Sequence, residues 1–115
     1  MAKNSGNYAP KRGDLVWLDF SPTRGHEQSG KRPALVLSPF LYNQKTGLCI
    51  VCPMTSKIKK LPFEVFCNVN DIRGVLLVDH LRNIDYESRN CELIGTIDDG
   101  ILDKVLSYVD VLLMK

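Results

Sequence analysis

Helical periodicity occurs in only one stretch of this chain, at its C-terminal end. At about 100° per residue, Tyr108, Ile101, Leu112, Val105, Val109 and Leu102 fall on a continuous apolar arc, which Leu113 and Leu106 complete. Asp103, Lys104, Ser107 and Asp110 occupy the other side, with Val111 the exception. Asp98 or Asp99 stands where a carboxylate can cap the first orphan backbone N–H groups. Upstream, prolines and glycines cut the chain into apolar runs of strand length at 14–20, 34–38, 48–52, 62–67, 74–78, 82–86 and 92–97. One helical turn fits 40–47, and Pro53 is expected to stop the strand before it. Five to seven short strands followed by one helix predict a mainly β fold, a small SH3-like barrel rather than a parallel α/β sheet. The apolar arc is roughly 160° wide, more than one small sheet covers, so part of it is expected to face a second subunit.

At 115 residues the chain has the size of a single domain over 1–115, with 1–11 as a loosely ordered arm. Its 44% hydrophobic and 24% charged residues describe an ordinary globular protein and exclude a disordered one. A net charge of +2 is too small to identify a nucleic-acid binder, although Lys31-Arg32 and Lys57 with Lys59-Lys60 form local clusters. No run approaches the roughly 20 apolar residues that span a bilayer. The N-terminus has no apolar secretory core, and the expected location is the cytoplasm. Cys49 and Cys52 form a C-x-x-C, but Ile50 and Val51 between them favour a strand. A strand sends residues i and i+3 to opposite faces, so these cysteines, with Cys67 and Cys91, read as buried thiols and not as zinc ligands.

The segment from Gly25 to Pro33 concentrates His26, Glu27, Gln28, Ser29, Lys31 and Arg32 between two apolar runs. One reading is a solvated connection. The other makes Glu27, Gln28 and Arg32 the lining of a phosphodiester site. Pro33 restricts Arg32 to extended backbone conformations, so the Arg32 side chain is launched from a fixed point.

Gly13-Asp14-Leu15-Val16-Trp17, Phe20, Pro22, Gly25, Glu27-Gln28, Gly30 and Arg32-Pro33-Ala34 begin an ordered series of short motifs. The series continues through Leu37-Ser38, Asn43, Lys45-Thr46-Gly47, Pro53, Thr55, Pro62-Phe63-Glu64-Val65, Gly74-Val75 and Asp79. It resembles the signature of the MazF/PemK toxins over nearly the whole chain beyond the first ten residues. The resemblance implies a barrel of the MazF/CcdB type and the toxin component of a type II toxin–antitoxin system. It implies a sequence-specific endoribonuclease that cuts single-stranded mRNA without metal or other cofactor and inhibits translation and growth. In such enzymes the ribose 2′-hydroxyl attacks the adjacent phosphorus, giving 2′,3′-cyclic phosphate and 5′-hydroxyl ends; DNA lacks that nucleophile. The implied assembly is a homodimer with an RNA groove across its interface, silenced by a cognate MazE-like antitoxin whose acidic tail occupies the groove.

That reaction needs a group to take the 2′ proton, one to protonate the departing 5′ oxygen, and donors for the phosphorane. The resemblance assigns Arg32 and Thr55 as the catalytic pair. The Arg32 guanidinium offers forked donors to phosphate oxygens, and a guanidinium is a poor base. Thr55 can donate its hydroxyl to a phosphate oxygen; otherwise it is a strand-end residue. Glu27 matches the family loop and either acts as base or positions Arg32.

His26 and His80 are the two imidazoles of the chain, a side-chain type that suits acid–base work near neutral pH. Family members often carry glutamine at the position of His80, which favours RNA or partner contact there over catalysis. Asp79 matches a family position and either accepts a bond from RNA or serves a turn. His26, Gln28, Ser29, Lys31, Ser56 and Lys57 complete the expected RNA contacts. Of the two aromatics leading into the loop, Phe20 is preferred to Trp17 as a stacking platform, where a base gains roughly 1–3 kcal/mol.

Two other classes of function fit the same barrel: a toxin that poisons DNA gyrase, and a non-catalytic SH3-like binding module. The retained Arg32 and Thr55 argue against the first, and the second predicts no RNA fragments from the unmodified protein and binding that survives loss of Arg32. The RNA word that is cut is not legible, because Lys31 and Met54 sit beside the key residues at positions where the family varies.

Overall fold

The computed structural model describes residues 8–20 and 30–115. Its elements run β1 (Asp14–Asp19), β2 (Lys31–Val36), α1 (Phe40–Thr46), β3 (Leu48–Thr55), β4 (Glu64–Val69), β5 (Ile72–Leu77), β6 (Arg82–Asp85), β7 (Glu92–Thr96) and α2 (Asp99–Met114). This is the mainly β arrangement with a C-terminal helix that the apolar runs predict. The antiparallel sheet has the order β4–β5–β3–β2–β1–β7, and β6 pairs with the first half of β3.

The central strands are buried on both faces. Leu15, Leu35, Cys52 and Met54 pack in one cluster with Val105 of α2. Val16, Leu18, Ala34, Val36 and Cys49 pack in the other with Ile84 and Tyr86. Two covered faces explain why these segments read as continuous apolar runs and not as a polar–apolar alternation.

The sheet curls until its two edges meet. At the β4–β5 turn Asn70 and Asp71 both have positive φ, 51° and 66°, the geometry of a two-residue type I′ hairpin. That turn docks on β7, where Asn70 Nδ2 donates to the Ile94 carbonyl at 2.7 Å. Gly95 permits the approach: a Cβ there would lie 2.7 Å from Val69 Cγ1. α2 covers one end, with the Asp98 carboxylate capping the N–H groups of Gly100 and Ile101. Tyr108 of α2 meets the Phe63 ring edge-on at 5.3 Å. The first turns of α2 are engaged, whereas Val111, Leu112, Leu113 and Met114 are exposed.

The structure corrects two expectations. Residues 8–11, assigned to a loose arm, are pinned. Tyr8 Oη donates to the buried Asp14 carboxylate at 2.7 Å, and the Pro10 carbonyl accepts from Asn43 Nδ2 at 2.8 Å. Asn43 is itself fully buried and also bonds Ser38 through that residue's Oγ and carbonyl. Pro53, expected to stop a strand, lies inside β3. Ile50 accepts from Leu37 and donates to Ser38 on the β2 side, so alternation turns the Pro53 nitrogen to the opposite side. There β3 changes partner, from β6 up to Val51 to β5 from Met54. A residue without an N–H therefore sits at the seam between two ladders, where no ladder bond is lost.

Candidate active site

The same change of partner opens a cleft. The β2–β3 ladder runs from Val36↔Val51 to Ala34↔Pro53 and stops. Two residues further, the same register would set Arg32 opposite Thr55. Instead β3 swings to β5 through Met54↔Leu76 and Thr55↔Val75, while β2 stays on β1 through Leu18↔Arg32. Between the diverging strands lies a cleft of about 480 Å³ with Arg32 on one wall and Thr55 on the other. Odd-numbered residues of β2 direct their backbone towards β3, as the Leu37 N–H to the Ile50 carbonyl shows. Pro33 therefore turns its nitrogen into the opening, and having no N–H it leaves no orphan donor there.

The Thr55 hydroxyl accepts the Lys57 backbone N–H at 3.2 Å. This local turn fixes the hydroxyl oxygen and leaves its proton to donate into the cleft. Behind Thr55, β5 presses close. A Cβ on Gly74 would lie 2.3 Å from the Thr55 carbonyl oxygen, so the strand pairing that holds the threonine requires glycine at that position. Trp17 pairs with Pro33 and lines the cleft, with the Lys31 ammonium 6.0 Å from its ring. Lys31 is also bridged to Glu92 at 2.7 Å, an exposed pair of the kind that contributes little to stability.

The structure brings Trp17, Lys31, Arg32, Thr55 and Ser56 to one cleft. Lys57 follows directly in an exposed loop, anchored where the Lys59 and Lys60 N–H groups donate to Glu64 Oε1. Phe20 is a correction. It is 2% exposed, packed in the cluster with Val16 and Leu18, and its ring is capped by the Arg82 guanidinium at 5.1 Å. With both faces of β1 covered, the even-numbered residue went into the core and Trp17 stayed at the cleft. Asp79 and His80 occupy the turn after β5, 3.8 Å from each other and partly exposed, away from the cleft lining. His26, Glu27, Gln28 and Ser29 lie outside the described residues. Sequence reasoning missed Asp71 and Arg73, which also line the cleft; only cross-strand register reveals them.

The cysteines stand apart from this site. Cys49 and Cys52 belong to clusters on opposite sheet faces, and all four thiols are free. Burial pushes Cys49, Cys52 and Cys91 up to about 12 and Cys67 up to about 11. At neutral pH they are thiols, not nucleophilic thiolates. Because burial raises their folded-state values, these thiols contribute their full stability below the unfolded-chain value near 9. Between about pH 9 and 12 the unfolded chain loses protons that the folded one keeps. Stability is therefore expected to fall through that window, by at most about 1.4 kcal/mol per pH unit for each thiol. Urea unfolding in reductant at pH 8 and pH 10 checks this; an unchanged midpoint would contradict the burial of these thiols.

Comparison with known proteins gives one consistent answer. The profile of the PemK-like, MazF-like toxins of type II toxin–antitoxin systems matches residues 11–113. The chain is 43% identical over 106 residues to the endoribonuclease toxin MazF of Escherichia coli K12, covering 92% of this chain and 96% of that protein. The crystal structure of MazF from Deinococcus radiodurans superposes with a TM-score of 0.88 at 45% identity, covering 95% of this chain and 100% of the other. A MazE–MazF complex from the same organism gives 0.82 at 41% identity, over 94% and 98% of the two chains. Motif order and barrel topology agree with these matches, and the chain belongs to the PemK/MazF-like toxin family of type II toxin–antitoxin systems.

Proposed function

We propose that this chain is a metal-independent endoribonuclease toxin that cuts single-stranded mRNA at a short sequence and so stops translation and growth. The observation that carries the reading is Arg32 facing Thr55 across a cleft opened by two diverging strands. A scissile phosphate seated there receives forked guanidinium donors from one wall and a hydroxyl proton from the other. Negative charge growing on the non-bridging oxygens in the phosphorane is stabilised by both. The nucleophile is the substrate's own 2′-hydroxyl: its oxygen bonds to phosphorus, the P–O5′ bond breaks, and the proton given up at O2′ is balanced by one taken up at the departing O5′, so the products are 2′,3′-cyclic phosphate and 5′-hydroxyl ends. A guanidinium is a donor and not a base, so Arg32 acts as a charge stabiliser. Glu27 is the proposed base, ahead of His26 and His80.

His26, Gln28, Ser29, Lys31, Ser56 and Lys57 are proposed to contact RNA around the cleft, Trp17 to take a base face, and Asp79 and His80 to reach more distant nucleotides. The assembly proposed is a homodimer held silent by a MazE-like antitoxin in the cytoplasm. The exposed apolar end of α2 supports a second copy. MazE complexes of a similar toxin support the antitoxin, and no helix among the described residues is long and apolar enough to cross a membrane.

The test is digestion of a long RNA by the purified chain in EDTA, with fragment ends mapped. Cleavage at a recurring word with cyclic phosphate ends is expected, and Thr55→Val should slow it by about 10²-fold. Intact RNA, or activity abolished by EDTA, would overturn the proposal.

A further inference from the structure

We infer that Arg73 on β5 binds the phosphate next to the scissile one, giving the cleft a second anion subsite; this rests on the endoribonuclease reading above. Thr55 pairs directly with Val75, and Arg73, two residues earlier, shares that face of the sheet. It is a diagonal cross-strand neighbour of Thr55, at about 7–8 Å between such positions, and it lines the same cleft as Arg32. Arg32 stands across the opening from Thr55, whereas Arg73 stands beyond Thr55 on the far side. A phosphate held between Arg32 and Thr55 therefore leaves Arg73 beside the next phosphate along the strand.

Two further observations separate Arg73 from an ordinary surface charge. Lys31, the other β-strand cation at the cleft besides Arg32, is matched by Glu92. Among the described residues no ion pair engages Arg73, and its cross-strand partner in the β4–β5 hairpin is the neutral Asn68. Its backbone is also well fixed. The hairpin turn at Asn70 and Asp71 is tied to Ile94, and Gly74 packs against Thr55. The guanidinium is thus launched from a rigid strand at a set distance from the reacting position. Asp71 adds a carboxylate to the same wall, which disfavours a phosphate near the turn and leaves the Thr55 side of Arg73 as the anion position.

An interaction made equally with substrate and transition state changes binding and not the chemical step. With a short RNA carrying the mapped cleavage site, Arg73→Gln is expected to raise KM about five- to tenfold while kcat stays within about twofold. On the uncleavable analogue with a 2′-deoxyribose at the scissile position, the slope of log Kd against log salt should fall by about 0.7, one single-strand phosphate contact. Arg73→Lys, which keeps the charge, should restore most of that slope. A neutral methylphosphonate at the flanking position should give the unmodified protein the KM of Arg73→Gln and cost the variant nothing more. A fall in kcat at unchanged KM would place Arg73 at the reacting phosphate and overturn the assignment, as would unchanged KM and slope. Unmodified protein that leaves the RNA intact would instead overturn the endoribonuclease reading itself, so the two failures are distinguishable.

Discussion

Replacing Arg32 with alanine is expected to lower the rate of RNA cleavage by about 10³-fold while leaving the folded protein intact. The side chain is half-buried at the start of β2, and the neighbouring β1–β2 ladder depends on backbone bonds that alanine keeps. On the proposed mechanism, the loss is the charged donor pair for oxygens that become more negative as the phosphorane forms. Removing one preorganised donor of that kind typically costs about 10²–10³ in rate, and a charged, forked one belongs at the upper end. Binding of the uncleavable 2′-deoxy RNA should weaken far less than kcat falls. Arg32→Lys should recover only part of the rate, because an ammonium is a point charge and cannot match two phosphate oxygens in one plane. Single-turnover cleavage, with circular dichroism to show an unchanged fold, makes the measurement. A variant that cuts at the original rate would remove Arg32 from the reaction.

Gly74→Ala is expected to damage stability and activity together, from a position that presents no side chain to the cleft. The added Cβ would fall 2.3 Å from the Thr55 carbonyl oxygen and 3.0 Å from its carbonyl carbon. Both are backbone atoms in a strand, so relief requires β3 and β5 to separate where Thr55 and Val75 pair. Overpacking of this kind costs about 1–3 kcal/mol, or a fall in Tm of roughly 5–15 °C at this chain length. Moving Thr55 by an ångström also misplaces its hydroxyl, and a displacement of that size can cost about 10²-fold in rate. Thermal unfolding and cleavage rate should therefore drop together. Full activity at full stability would mean that the two strands have room that their register denies.

Both expected effects trace to one structural feature, the exchange of partners along β3. Up to Val51 this strand is held by β6, and from Met54 it is held by β5; β2 accompanies it only as far as Pro53. The two prolines at the fork, Pro33 and Pro53, each put their missing N–H where a ladder has no bond to make. The cleft is thus built from the ends of strands, and its residues inherit the rigidity of the sheet.

Much of the fold is legible in the order of the residues. The apolar arc from Ile101 to Leu113 and the carboxylate at Asp98 specify α2, because helical spacing and capping are properties of neighbouring residues. The strand-length runs specify a mainly β barrel for the same reason. Motif order carried Arg32 and Thr55. Which residues share the cleft is set by packing between distant segments. β1 is apolar on both faces, so its pattern cannot say that Phe20 goes under Arg82 while Trp17 stays at the opening. Pro53 looks like a strand terminator until the seam between β6 and β5 is known. Arg73 stands alone in the sequence and becomes a neighbour of Thr55 only through the Thr55↔Val75 pairing. Asp79 and His80, by contrast, are carried out of the cleft by the turn that follows β5. Periodicity is set within a few consecutive residues, whereas proximity across a sheet depends on register, curvature and the point where two ladders part, and these are fixed only when distant segments pack.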